Sequence, residues 1–215
     1  MKNKEIIHII IGILILALII SFKELVLYAN FAFLGTAILF SLTIIAVNIL
    51  AKKGMASFLD SRVEHKIWHW KRFWFKENWH LKKALPMGAI IPLIVTAFSI
   101  GFFKVMTILT FETHALKRRA ARRHGYYSYT ELTDFTIGMI AASGIVATLL
   151  LSLITYWFEP LETLSRMAAY YAFWNIIPFS QLDGIHILSG VRKVWYVLAI
   201  ISGIFALLAL YAGIV

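Results

Sequence analysis

The chain has no cysteine, which excludes disulfides and thiolate metal sites. It is also short of charge: only 15% of its residues are Asp, Glu, Lys or Arg, and the acids, 11 against 21 Lys and Arg, almost vanish from its last third. With 60% hydrophobic residues and a mean hydropathy of +0.79, too little polar surface remains to cover a water-soluble domain. These scarcities leave an integral membrane protein.

Apolar runs at about 6–22, 27–50, 135–158 and 194–215 approach or exceed the roughly 20 residues that cross a bilayer as a helix. Two more, 84–103 and 167–183, are shorter or interrupted. The first run follows Met1-Lys-Asn-Lys-Glu as a signal sequence would. It is too long for one, however, and its end, "LIISFKELV", lacks a small-x-small cleavage pattern, so it reads as a retained helix. The expected fold is an α-helical polytopic membrane protein. A single membrane domain over 1–215 would hold about five to six membrane segments and a small β element at about 103–130.

A formal net charge of +10 invites a nucleic-acid reading, but its distribution points elsewhere. The Lys and Arg cluster in 51–83 and 117–123, beside hydrophobic segments, as cytoplasmic loops do under the positive-inside rule. The N-terminus and region 51–83 are therefore expected on the cytoplasmic side of the cell membrane, with lipid and not nucleic acid as the neighbour. If 84–103 crossed as a simple helix, "KRRAARR" at 117–123 would land outside. A segment that dips in and returns keeps the basic clusters together, and Pro86, Pro92 and Gly101 fit such a broken, re-entrant segment. Non-helical backbone at that depth needs shelter from protein or water.

After that segment, "FKVMTILTFE" reads as a strand with "HGYYSYTEL" as its partner, forming a small sheet at the cytoplasmic face. Ser128 and Glu131 resemble a capping box opening the next helix, whose "GMIAASG" suits close helix packing. "VEHKIWHWKRFWFKENWH", residues 63–80, mixes tryptophans with basic side chains. Such a mixture can stack on single-stranded nucleic acid. Between two membrane segments it is better read as an interfacial belt.

Chemistry points to "FWNIIPFSQLDGIHIL", residues 173–188. An ionisable group inside a membrane segment costs at least about 2.5 kcal/mol, and is a functional hypothesis by default. Asp183 is that group, on a segment bent by Pro178 and ended by Asp183-Gly184. The alternative is an ordinary Asp-Gly turn leaving Asp183 in headgroup water.

Asn175-Ile-Ile-Pro178-Phe-Ser-Gln-Leu-Asp183-Gly184 resembles the N-x-x-P-x-x-x-L-D-G motif of site-2 proteases, the intramembrane zinc metalloproteases. The resemblance extends to "VEHKIWHWKRFWF" and "YSYTELTDFTIGMIAASGI", covering most of 27–190, and implies a prokaryotic source. It implies that Asp183 corresponds to the third zinc ligand and that Asn175 helps position substrate or the oxyanion. The family's other signature, H-E-x-x-H, puts two imidazoles on one helical face for zinc with Glu as general base. It is absent here. The corresponding stretch reads Asn48-Ile49-Leu50-Ala51-Lys52, with Asn48 and Lys52 at the ligand positions and Ile49 at the base. An ammonium has no lone pair for zinc, an amide oxygen is a poor ligand, and isoleucine takes no proton from water. Asp183 is thus the only metal ligand left, and a Lys52–Asp183 ion pair would replace the metal.

Two rescues of a metal site are weaker. Lys4-Glu5-Ile6-Ile7-His8 is half a motif at the start of the first helix, and His65, His69 and His186 could gather on Asp183. His80, His114 and His124 beside basic stretches read as interfacial. The expected function is a catalytically degenerate relative of site-2 proteases, without a cofactor. It would bind transmembrane segments of other membrane proteins as a regulator, chaperone or assembly subunit, with Asn175, Pro178 and Asp183 at the binding groove. The alternative is an active intramembrane zinc metalloprotease with an atypical ligand set. A transporter is disfavoured, since only one acid lies well inside a span and no inverted repeat is visible.

Overall fold

The two N-terminal apolar runs are hydrophobic on every face, the pattern of a helix surrounded by lipid or protein. In the computed structural model, which describes residues 2–72, 80–116 and 132–212, they form α1 (Lys2–Tyr28) and α2 (Ala32–Phe58), 27 residues each. A tight turn at Ala29, in left-handed conformation with φ of 48°, joins them as an antiparallel hairpin. Helix α2 runs two turns past residue 50, where its apolar run ends, so 51–58 belongs to the helix and not to a loop.

The following chain supplies strands β1 (Ser61–Ile67), β2 (Trp70–Arg72) and β3 (His80–Leu85), helix α3 (Met87–Phe98) and strand β4 (Leu109–Ala115). Two antiparallel pairs result, β1 with β4 and β2 with β3. In the first, His65 stands opposite Phe111 and Ile67 opposite Leu109. The strand in "FKVMTILTFE" takes β1 as partner, and 124–131 lies outside the described residues, as does the Ser128–Glu131 capping box. The reason is the alternation in β1, where Ser61, Val63, His65 and Ile67 are buried in turn. Trp68, assigned to the belt on composition, is in the core at 1% exposed.

Helix α3 has 12 residues, about 18 Å at the helical rise, with Pro92 inside it. Its beginning lies beside the end of the extended run that follows it, residues 104–108. Trp68 N donates to the Ile108 carbonyl at 3.0 Å and Gly88 N to the Trp68 carbonyl at 2.9 Å. A Cβ on Gly88 would sit 2.2 Å from the Ile108 oxygen, so only glycine allows the approach. At the far end the chain reverses through Ile100 and Gly101, both at positive φ, and Gly101 packs on the backbone of Lys23. By Leu109 it is back beside Gly12, about 16 Å along α1 from Lys23.

The remaining helices are α4 (Asp134–Tyr156), α5 (Glu162–Ile176), α6 (Asp183–Gly190) and α7 (Arg192–Ala212). Thr133 caps α4, its hydroxyl accepting from Thr136 N. Among the described residues four helices, α1, α2, α4 and α7, are long and apolar enough to cross a membrane, as in a helical membrane protein. The expected segment 167–183 is two pieces, α5 and α6, set in sequence against α4. One apolar cluster, with Leu16, Ile20, Ile44, Met106 and Tyr171, joins α1, α2 and α5 to the extended run. A second, with Phe111, Ile140, Ile145, Ile176 and Ile187, surrounds the ionisable residues.

Candidate functional site

The motif of residues 175–184 has a local structural cause at each marked position. Pro178 has no N–H to continue α5 and biases Ile177 toward extended backbone, where it is found at φ −62° and ψ 127°. The break ends at Leu182, 2% exposed, and Asp183 opens α6. A Cβ on Gly184 would lie 2.0 Å from the Ile176 carbonyl oxygen, so glycine alone lets α6 start against the end of α5. Asn175 donates from Nδ2 to the Tyr171 carbonyl at 2.8 Å and the Met106 carbonyl at 3.4 Å, clamping α5 to the extended run. Its side-chain oxygen is buried with no protein hydrogen bond.

Facing Asp183 is α2. Lys52 Nζ lies 2.7 Å from one carboxylate oxygen and 2.9 Å from the other, and both side chains are at most 3% exposed. Asp183 is therefore deep in protein and paired, not in headgroup water. Space for the Lys52 stem comes from Gly144 on α4, where a Cβ would be 2.5 Å from Lys52 Cε and 2.8 Å from Asn48 Nδ2. The ammonium also lies 4.8 Å from the Phe111 ring centre, within cation–π range. Asn48 is 2% exposed with its amide nitrogen unpartnered, and Ile49 is 8% exposed. An ion pair this dry contributes little net stability against an apolar pair, but removing one member strands a charge.

The histidines do not gather on Asp183. His186 and His65 both flank Phe111, with ring centres 5.3 and 6.5 Å from its own. His65 N and Nδ1 face Glu5 at 3.3 and 3.4 Å, and Glu5 is paired with Lys53 at 2.7 Å. Burial pushes the His65 imidazole down to about 3, with Lys52 and Lys53 adding to the shift and Glu5 opposing it. His69 instead faces the Ile67 carbonyl and stands edge-on to His8. Glu5 is therefore engaged in linking α1 to α2 and β1, and the half motif at 4–8 has its acid and its histidine in different contacts. Among the described residues no group of three or more His, Asp or Glu is placed to hold a metal ion. Lys52, Asn48 and Asp183 do not fit a catalytic zinc, since one of the three is a cation and one an amide.

Sequence reasoning brought Lys52, Asn48 and Asp183 together and missed Phe111. Phe111 is the last of three successive buried residues at the start of β4, and its place opposite His65 is legible only once the pairing with β1 is known. No family model matches this sequence, and neither a curated protein nor a solved structure matches it.

Proposed function

We propose that the protein is a catalytically degenerate, site-2-protease-like membrane protein that binds transmembrane segments of other membrane proteins as a regulator, chaperone or assembly subunit. The observation that carries this reading is the buried Lys52–Asp183 ion pair. It occupies the place where the motif resemblance puts a zinc ion, and both partners are consumed by each other. An ammonium in contact with the carboxylate neutralises its charge without offering a site for water activation.

The membrane arrangement belongs to the same proposal. Helix α3 is too short to cross a bilayer of about 30 Å. The contacts of Gly101 at Lys23 and of Leu109 at Gly12 support an excursion that enters and returns on one side. The buried part of the extended run, 105–108, is then sheltered by α1 and α5, as backbone at membrane depth requires. With the basic clusters inside, the N-terminus and region 51–83 face the cytoplasm of a cell membrane. The Lys52–Asp183 pair then lies in its cytoplasmic half.

Partner binding fits the break between α5 and α6. Phe179, 45% exposed, stands at its surface against Trp68 and Trp70. The amide of Asn175 is 1% exposed and engaged with Met106, so a partner reaches it only by displacing the extended run.

The test is photo-crosslinking from position 179 in native membranes, together with metal analysis of the purified protein. Adducts with intact membrane segments and sub-stoichiometric zinc are expected. Stoichiometric zinc that is lost in Asp183→Ala, with cleaved adducts, would instead establish the active metalloprotease.

A further inference from the structure

A cavity lies away from the Lys52–Asp183 pair, at the end of the bundle that carries the α1–α2 turn. It has a volume of about 770 Å³. Its walls come from the end of α1, the start of α2, the reversal after α3, most of α5 and the end of α7. Three cations line it, Lys23, Lys104 and Arg166, against one carboxylate, Glu24. Lys104 makes no hydrogen bond or ion pair among the described residues, and Lys23 and Arg166 add like charge to its surroundings, with Glu24 opposing. Lys23 Nζ rests over the Phe102 ring at 4.9 Å. Arg166 donates from Nη1 to the Ala212 carbonyl, while its Nε is buried with no hydrogen bond and lies 3.8 Å from the half-exposed Glu162.

The cavity is amphipathic along its length. On α5 it runs from Thr163 and Arg166, at the helix start, to Phe173 and Trp174, a distance of about 16 Å. Lys23 and Arg166 each lie within two turns of the helix terminus at that end of the bundle, and the walls farther along α5 are apolar, among them Phe173 and Trp174. A cluster of like charges with spare donors calls for an anion, since each added charge-assisted hydrogen bond relieves their repulsion. The apolar depth calls for hydrocarbon beneath that anion.

We propose that this cavity is a binding site for an anionic phospholipid, with its phosphate held by Lys104, Lys23 and Arg166 and an acyl chain lying along α5. The site is independent of any reading of the Lys52–Asp183 pair. A lipid fits better than a soluble phosphate compound because the walls are helices whose outer faces already meet the bilayer. A wedge of this kind between α1, α5 and α7 would couple the bundle to membrane composition.

The experiment uses the full chain in mild detergent, relipidated with phosphatidylglycerol or phosphatidylcholine of identical acyl chains. Bound lipid is read by native mass spectrometry and by thermal shift. Phosphatidylglycerol is expected to be retained about tenfold more strongly, and Lys104→Gln or Arg166→Gln to remove most of that preference. Gly203→Phe is the second variant. Gly203 lines the cavity with nothing within 4 Å of its would-be Cβ, so the ring fills the space without a clash and should expel the lipid. Lys193→Gln, exposed at the opposite end of α7, should change nothing. Equal retention of the two lipids, or undiminished phosphatidylglycerol in a folded Gly203→Phe protein, overturns the site. Displacement of phosphatidylglycerol by glycerol phosphate alone overturns the lipid as its occupant.

Discussion

Gly144 on α4 and Lys52 on α2 touch so closely that a single methyl group on the glycine would stand 2.5 Å from the lysine Cε. The small-residue stretch of α4 is what brings the two helices near enough to bury an ammonium. Gly144→Ala should therefore push the Lys52 stem aside and loosen its pair with Asp183. A loss of about 1–3 kcal/mol is expected, the usual cost of overpacking. Thermal unfolding in detergent measures it. An unchanged midpoint would mean that the Lys52 stem relaxes freely and the fit is not tight.

Removing one partner of the ion pair should cost more than removing both. Lys52→Met leaves the Asp183 carboxylate buried at 1% exposure with no cation, a loss of about 3–5 kcal/mol for such an orphaned charge. Combined with Asp183→Leu, most of that loss should return, because apolar residues suit the surrounding Ile140, Ile145 and Ile187. A double-mutant cycle on thermal stability reads the difference. Additive losses would show that the pair does not act as a unit.

If the pair stands where a zinc ion would, the missing donors can be put back. Asn48→His, Ile49→Glu and Lys52→His together restore H-E-x-x-H one turn apart on α2, facing Asp183. The triple variant should bind one zinc per chain, measured by elemental analysis after gel filtration, and adding Asp183→Ala should abolish it. Failure of a folded triple variant to take up zinc would separate this site geometrically from that of the zinc proteases.

His65 predicts an acid-sensitive fold. Its imidazole is held at about 3 in the folded chain against an ordinary 6.5. Between those values the unfolded chain binds a proton that the folded chain refuses, so stability is full above about 6.5 and falls as pH drops below it. The groups facing His65 are Glu5 on α1, Lys52 and Lys53 on α2 and Phe111 on β4. His65→Gln should flatten the dependence of the unfolding midpoint between pH 7 and pH 5. An equally steep dependence in the variant would assign it to other groups.

The four membrane-length helices were legible because apolar length is a one-dimensional property. The motif at 175–184 was legible for a related reason. Its Pro178 and Gly184 act on backbone within a few residues, so their effect can be read locally. The strands were harder. Residues 61–67 alternate, but their tryptophan and lysine neighbours resemble a membrane-interface belt, and composition drew the reading away from period. The partner of β4 could not be found from sequence, since a strand's register depends on which edge reaches it.

The sequence by itself determined that this is a helical membrane protein and marked Asp183 as an acid within an apolar segment. Only the tertiary structure decided that Lys52 spans to Asp183, that Phe111 stands between the ion pair and two histidines, and that Lys23, Lys104 and Arg166 converge on one cavity. Hydrophobicity and side-chain chemistry reside in each residue. Distances between residues far apart in the chain exist only after helices pack, and here they turn on the absent side chains of Gly144, Gly184 and Gly101.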